Sequence, residues 1–391
     1  MRTRFAVGGL VLGLLSTPAG AVQPYVFVPL DVPGARATQA RSINDAGQVV
    51  GDFTDRFRQP RFFRWDGSTY TTLSLPQPGA VTGINDAGLV VGFFSDDDGW
   101  RGYVSDGATH TLFGVPFPGV FSMSVGGIND LNQIVGGFEA AGTGGHGFLK
   151  EGEIYTVLDV PGASFSGTSA VGINDAGQIV GYYTRIDGPC PPSCGGRAHG
   201  FLKDGDTYTT LDFPVPGART LALGINDPGQ IVGYYHFAAT PDHPFLTDGA
   251  SWAALEVPGS ISARAFDIND AGQIVGWFKD PSESFHGFLA TPAVVQLLDD
   301  FDAAVADGTL VGSGPGASGE GRLSALRSMI ETAAELLEAG LLEDACAPLR
   351  EAAKRTDEQF PPPDFVEGPS ALALSEKIVE LREALGCEQS S

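Results

Sequence analysis

The sequence predicts a six-bladed β-propeller of four-stranded antiparallel blades, followed by a small all-α helical bundle. Two observations support this fold class. A unit of four short β-rich runs occurs six times between residues 22 and 293, and four strands in about 40 to 45 residues are typical of a propeller blade. After residue 293 the strand pattern stops, and alanine, leucine and glutamate dominate to residue 391.

The clearest mark of the repeat is the tripeptide Ile-Asn-Asp. Its six asparagines are Asn44, Asn85, Asn129, Asn174, Asn226 and Asn269. An open solenoid of six rungs is the alternative architecture. No unit has the polar composition of a capping repeat, which a solenoid needs at its ends, so we expect a closed ring.

Turn residues separate the four runs of each unit. The second and third runs are joined by Asn-Asp-x-Gly, with Asn132 in place of the glycine in the third unit. Both residue types accept a left-handed backbone, which predicts a tight hairpin. A closed ring must also pair its two ends, so we expect the strand at residues 25–32 to lie beside strands of the last unit.

The N-terminus has the three parts of a secretory signal peptide: Arg2 and Arg4, an apolar run at 5–15, and small residues at 19–21. We expect cleavage after Ala21. The alternative, a membrane anchor, needs about 20 apolar residues, so no membrane span is predicted. The formal net charge of -24 excludes nucleic-acid binding. The expected location is extracellular or periplasmic.

An oxidising compartment changes how the four cysteines are interpreted. Cys190 and Cys194 share one short segment, whereas Cys346 and Cys387 lie in the tail. The simplest pairing closes each pair on itself as a disulfide. A zinc site needs a second ligand pair at suitable spacing, and the sequence has none near either pair, so we predict no metal.

The tail, residues 294–391, predicts four short amphipathic helices at about 291–307, 322–339, 342–356 and 370–385. A glycine- and serine-rich linker is expected at 309–321. A bridge between Cys346 and Cys387 would connect the third helix to the end of the fourth.

Two resemblances accompany these patterns. The motifs Gly-Ile-Asn-Asp-x-Gly-x-Ile-Val-Gly and His-x-Phe resemble the HAF-type extracellular repeats of bacteria, although Arg61 and Arg101 replace the histidine in the first two units and no glycine precedes Ile43. This resemblance implies export and a β-repeat architecture, with no reaction. The tail is similar to the FIMAH helical module in its helix at 297–308 and in Leu-Leu-Glu-Ala-Gly at 336–340, which implies an accessory or attachment role.

Repeated polar positions offer candidate sites. Four histidines share one repeat position: His146, His199, His243 and His286. Arginine replaces them in two units and does not ligate metal, so we expect struts rather than a metal ring. The aspartate of Ile-Asn-Asp is expected to serve its own turn. Asp96–Asp98 is a candidate calcium loop without the remaining ligands of an EF-hand. No catalytic motif or cofactor-binding loop occurs, so no cofactor is predicted.

The fourth unit carries eight extra residues in its connection, at 184–198. An insertion on a uniform scaffold is a common place for binding specificity, although harmless variation of a surface loop is the alternative. We expect a ligand-binding face around Trp100, Arg185, Asp187 and His236. The predicted function is an exported, non-enzymatic binding or scaffold protein for a glycan, cell-surface or protein ligand. The alternative is a glycan hydrolase or lyase that uses carboxylates such as Asp96, Asp98 and Asp187.

Overall fold

The structure, a computed structural model, describes residues 24–76, 78–165, 167–187, 196–237, 240–314, 317–357 and 364–387. Contacts between residues divide the chain into two compact units. One comprises Val28–Ala290, and the other comprises Thr291–Ser391 together with Met1–Phe27.

The first unit is a six-bladed β-propeller, which confirms the predicted fold class. The N-terminal strand is β1 (Tyr25–Leu30). Blade one contains β2 (Ala37–Ile43), β3 (Val49–Thr54), β4 (Pro60–Trp65) and β5 (Tyr70–Leu73). Blade two contains β6 (Gly79–Ile84), β7 (Val90–Asp96), β8 (Gly99–Ser105) and β9 (His110–Phe113). Blade three contains β10 (Val120–Ile128), β11 (Ile134–Ala140), β12 (Gly144–Glu151) and β13 (Ile154–Leu158).

The remaining blades follow the same order. Blade four contains β14 (Thr168–Ile173), β15 (Ile179–Arg185), β16 (Arg197–Asp204) and β17 (Thr207–Leu211). Blade five contains β18 (Arg219–Ile225), β19 (Ile231–His236), β20 (His243–Thr247) and β21 (Trp252–Ala254). Blade six contains β22 (Ser262–Ile268), β23 (Ile274–Lys279) and β24 (Phe285–Pro292), and β1 is its fourth strand.

The ring closes through blade six, where the strand order is β1-β24-β23-β22. The prediction that the N-terminal strand lies beside the last unit is therefore confirmed. The first run of each sequence unit is the outermost strand of the preceding blade, and the run that ends in Ile-Asn-Asp is the innermost. Every blade therefore takes its four strands from two neighbouring sequence units.

A glycine and an aromatic ring shape the core of each blade. In blade one, a Cβ on Gly51 would lie 2.1 Å from the Gln39 carbonyl oxygen and 2.8 Å from the Phe63 ring. Phe63 is fully buried, as are its equivalents Tyr103, Phe148, Phe201, Phe245 and Phe288. The glycine in Val-Val-Gly or Ile-Val-Gly therefore makes room for the ring from the neighbouring strand, which explains why both recur.

The second unit contains α1 (Ala293–Ala306), β25 (Val311–Gly312), α2 (Ala317–Glu338), α3 (Leu342–Ala353), β26 (Val366–Glu367) and α4 (Ala371–Ala384). Cys346 and Cys387 form a disulfide in it. Within the described ranges, no helix has both the length and the apolar character needed to cross a membrane.

The linker predicted at 309–321 is too long. It is replaced in part by β25 and by the first turns of α2. The glycines here serve close packing, because a Cβ on Gly312 would lie 1.9 Å from the Gly319 carbonyl oxygen. Glycine-rich composition therefore marked a tight contact between backbones rather than a free loop.

Candidate functional site

The six asparagines of Ile-Asn-Asp form a closed ring of hydrogen bonds at one face of the propeller, which we call the turn face. Each Nδ2 donates to the carbonyl oxygen of the next asparagine at 2.9–3.3 Å, and Asn269 closes the ring onto Asn44. Each Oδ1 accepts the backbone N–H four residues later in its own turn, at 2.7–3.0 Å. One buried side chain therefore both closes a hairpin and joins two blades.

The six aspartates form a second closed ring. Each carboxylate accepts the backbone N–H of the aspartate in the preceding blade at 2.7–2.8 Å. Our expectation that the carboxylate serves its own turn is wrong, because its partner lies in the neighbouring blade. Burial raises the pKa of Asp45, Asp130 and Asp270, and the adjacent aspartates raise it further.

Three of the four repeated histidines connect strands within a blade. The fourth, His243, stacks on Tyr235 at 5.3 Å between ring centroids and has Glu256 at the corresponding carboxylate position. Nδ1 of His146 lies 2.9 Å from Asp159, Nδ1 of His199 lies 2.9 Å from Asp212, and Nδ1 of His286 lies 2.8 Å from Asp31. The carboxylate follows the outermost strand in each case. Arginine replaces the histidine in blades one and two. There the position of the carboxylate is occupied by Ser74 and Gly114. Histidine and carboxylate thus occur together or are absent together, which is the pattern of a structural strut.

The residues predicted to form a binding face lie at the opposite face, the loop face, but in separate places. Trp100 lies in β8, is 42% exposed and packs on Phe93 at 5.9 Å between ring centroids. The candidate calcium loop is the tight turn between β7 and β8. Arg101 approaches Asp96 at 3.7 Å and Asp98 at 2.6 Å.

Five interacting polar residues of blade four lie at the loop face. We call them the blade-four cluster: Arg185, Asp187, Arg197, His199 and Asp212. Asp187 accepts from Arg185 at 2.9 Å and from Arg197 at 3.0 Å. His199, which is completely buried, lies between Asp187 at 3.0 Å and Asp212 at 2.9 Å. Both of its ring nitrogens therefore contact carboxylates.

The predicted loop at 184–198 is partly strand, which corrects that prediction. Thr184 pairs with Ala198 and Arg185 pairs with Arg197, so the hairpin between β15 and β16 is longer than expected. Residues 188–195 lie outside the described residues, and with them the predicted bridge between Cys190 and Cys194. The blade-four cluster lies where this hairpin leaves the sheet.

The charges of the blade-four cluster act on the pKa of Asp187. Burial raises the pKa of Asp187, but the hydrogen bond from Arg185 and the charges of His199 and both arginines outweigh it and hold the pKa below its ordinary value. The Asp187 carboxyl group is therefore ionised at neutral pH. Among the described residues, no group of three or more His, Cys, Asp or Glu side chains is arranged to hold a metal ion.

His236, the fourth predicted site residue, belongs to a different cluster. Asp242 accepts from His236 at 2.8 Å and from Arg264 of blade six at 2.8 Å. The Arg264 guanidinium lies 4.1 Å from the centre of the Tyr234 ring. The structure brings Arg185 and Asp187 together, but in the described ranges neither residue contacts His236 or Trp100.

Sequence reasoning missed the central channel. A cavity of about 290 Å³ lies between the innermost strands, and its lining includes Arg41, Tyr182, Tyr234, Arg264 and Phe266. The repeat did contain a sequence signal for this channel. The glycine before Ile-Asn-Asp is replaced by Ser42 in blade one and by Asp267 in blade six.

These two residues meet across the closure of the ring. Asp267 accepts from the Ser42 hydroxyl at 2.5 Å and from the backbone N–H of Ile43 at 3.1 Å. Burial raises the pKa of Asp267 to about 6 despite these hydrogen bonds.

The blades, the channel and the loop face define the class of this protein as a six-bladed β-propeller. No protein-family model and no curated protein sequence matches the chain. Among solved structures, it is similar to the fucose-recognising lectin of the fungus Aleuria aurantia, a six-bladed propeller, at 14% identity over 66% of this chain and 92% of the lectin, with a TM-score of 0.42.

Two further solved structures are similar to a comparable extent. The β-propeller domain of the Trilobed protease of Pyrococcus furiosus is 12% identical over 66% of this chain and 83% of that chain, with a TM-score of 0.39. A sialidase of Trypanosoma rangeli is 11% identical over 74% of this chain and 61% of the enzyme, also with a TM-score of 0.39. At these identities the similarity concerns the fold alone.

Proposed function

We propose that this protein is an exported, HAF-type binding protein whose propeller presents a ligand-binding loop face, and that its FIMAH-like helical unit has an accessory or attachment role. The ligand is a glycan, a cell-surface component or a protein. The observation that carries the proposal is the blade-four cluster, which places charged donors and acceptors beside the longest connection of an otherwise uniform scaffold.

The exposure of the cluster supports a role in contact with a ligand. The side chains of Arg185, Asp187 and Arg197 are 41%, 37% and 28% exposed. They are held in place by one another and by the buried His199 beneath them. Because these groups are fixed before a ligand arrives, little conformational entropy is lost on binding. Arginine is also enriched among the residues that dominate binding energy.

The experiment compares the full chain with a loop chimera in which residues 184–198 are replaced by the sequence of residues 279–285 from blade six. Both proteins are applied to a polysaccharide array and to bacterial envelope preparations, with and without calcium. We expect the chimera to keep its cooperative unfolding and to lose capture, because a surface loop contributes little to stability.

A finer comparison uses the double variant Asp187→Asn and Arg185→Gln, with Asp159→Asn as the matched control. Asp159 belongs to a histidine strut in blade three, where the connection is short. Capture should fall in the double variant and stay unchanged in the control. Unchanged capture by the chimera and the double variant, combined with its loss on deletion of residues 294–391, would assign recognition to the helical unit instead.

A further inference from the structure

The blades line the cavity in the central channel with side chains of different size at equivalent positions. Closure of the ring does not require this difference. At one position of the innermost strand, blade five has Leu221 and blade six has Arg264, whereas blades three and four have Ser124 and Ser169. Opposite these residues on the second strand, Tyr234 corresponds to Gly137 of blade three. The small residues leave open space where equivalent blades are filled.

The space continues beyond the channel. A second cavity, of about 170 Å³, adjoins the first between blades three and four and shares Ser124, Ser169 and Tyr182 with it. Small-molecule sites have volumes upward of about 300 Å³. The central cavity is therefore of a size for one small ring rather than for an extended molecule.

The two arginines that line the central cavity are already paired with carboxylates. Nε of Arg41 lies 2.6 Å from Asp52, and Nε of Arg264 lies 2.8 Å from Asp242. The oxygens of Asp267 accept from a serine hydroxyl and from backbone N–H groups. No net positive charge remains to attract an anion, and two guanidinium groups oppose a cation. An uncharged ligand therefore fits best.

The hydrogen-bonding groups of the cavity are mostly hydroxyls. In the described part of the chain, the hydroxyls of Ser124, Ser169, Tyr182 and Tyr234 have no hydrogen-bond partner. Tyr234 as a whole is 7% exposed, but its hydroxyl is not buried and can be reached from the cavity. Hydroxyls both donate and accept, and Leu221 and Phe266 add apolar surface. These groups suit a ring that carries many hydroxyls on an apolar frame.

We propose that the central cavity binds a single uncharged sugar ring. The innermost strands of blades four and five approach closely beside the cavity, where a Cβ on Gly172 would lie 2.7 Å from the Leu223 carbonyl oxygen. This site shares no residue with the blade-four cluster. The sugar-binding proposal can therefore be tested independently of the proposed function.

The test is saturation-transfer NMR and calorimetry on the full chain, with the methyl pyranosides of glucose, galactose and mannose and with glucuronic acid as the acidic counterpart. We expect at least one neutral glycoside to bind and glucuronic acid to bind more weakly. Absence of binding by every neutral glycoside, or preference for the acid, would overturn the proposal.

Variants then locate the site. Tyr234→Phe removes one hydroxyl and should weaken binding about 3- to 10-fold, the usual effect of one neutral hydrogen bond. Tyr235→Phe is the matched control, because Tyr235 stacks on Phe213 instead of lining the cavity. Filling the space with Ser124→Leu and Ser169→Leu, which copies Leu221, should abolish binding. Equal affinity in wild type, Tyr234→Phe and the filled variant would contradict the proposal.

Discussion

The two faces of the propeller are built from the same repeat but in different ways. At the turn face, six asparagines and six aspartates make the same contacts six times. At the loop face, blade two has a tryptophan beside an arginine–aspartate pair, blade four has five interacting charged or polar groups, and blade five has a histidine joined to the arginine of blade six. Positions that close the ring are restricted by geometry, whereas positions beside connections are free to acquire binding groups.

The largest expected difference between the faces concerns the asparagine ring. Asn174→Ala removes the bond to the Asn226 carbonyl and the acceptor for the Gln178 N–H at a buried site. We expect the free energy of unfolding to fall by about 3 kcal/mol, since two buried groups lose their partner. His146→Ala at the loop face should cost less than about 1 kcal/mol. Urea denaturation measures both values, and equal costs would contradict a special role for the turn face.

A second prediction concerns pH at the closure of the ring. The folded-state pKa of Asp267, about 6, lies above its ordinary value of 3.8. Its contribution to stability is therefore complete below pH 3.8 and is lost as pH rises through 6. Between pH 3.5 and 7, wild type should lose up to about 3 kcal/mol relative to Asp267→Asn, less where channel solvent reaches the side chain. Parallel stability curves for the two proteins would rule out this effect.

A third prediction compares two equivalent struts. Asp212→Asn and Asp159→Asn are the same substitution in blades four and three, but His199 is completely buried whereas the His146 side chain is 19% exposed. We expect about 1–2 kcal/mol of destabilisation for Asp212→Asn and less than 1 kcal/mol for Asp159→Asn. Thermal unfolding of both variants tests this order. If Asp159→Asn costs as much, burial of the histidine is not what distinguishes blade four.

The smallest effect is expected in the aspartate ring. Asp130→Asn keeps an oxygen for the Asp86 N–H and removes a charge whose pKa is raised by burial and by neighbouring aspartates. Stability at pH 7 should stay equal or rise by about 0.5 kcal/mol, with a smaller gain at high salt because ions screen the repulsion. Destabilisation by more than 1 kcal/mol would show that the negative charge itself is needed at the turn face.

Much of the architecture could be predicted because its determinants are local. Asn-Asp-x-Gly specifies a tight hairpin from neighbouring residues, and Asn132, at a φ of 60°, adopts the left-handed conformation that the glycines adopt elsewhere. Four β-rich runs that recur with a fixed period predict a propeller blade. The need to remove sheet edges predicts that residues 25–30 complete the last blade.

The candidate sites are formed by residues far apart in the sequence, and local sequence patterns do not show which of these residues meet. Departure from glycine at Ser42 and Asp267 was visible in the repeat, but their hydrogen bond joins residues 225 positions apart. The partners of the aspartates, the grouping of Arg185 with His199, and the central cavity likewise arise only when blades meet. The sequence by itself determined the repeating unit and its turns, because both follow from short-range backbone preferences, and it indicated the closed ring, because exposed sheet edges must be paired. Only the tertiary structure decided which side chains share a site, because that depends on how the six blades pack around one axis.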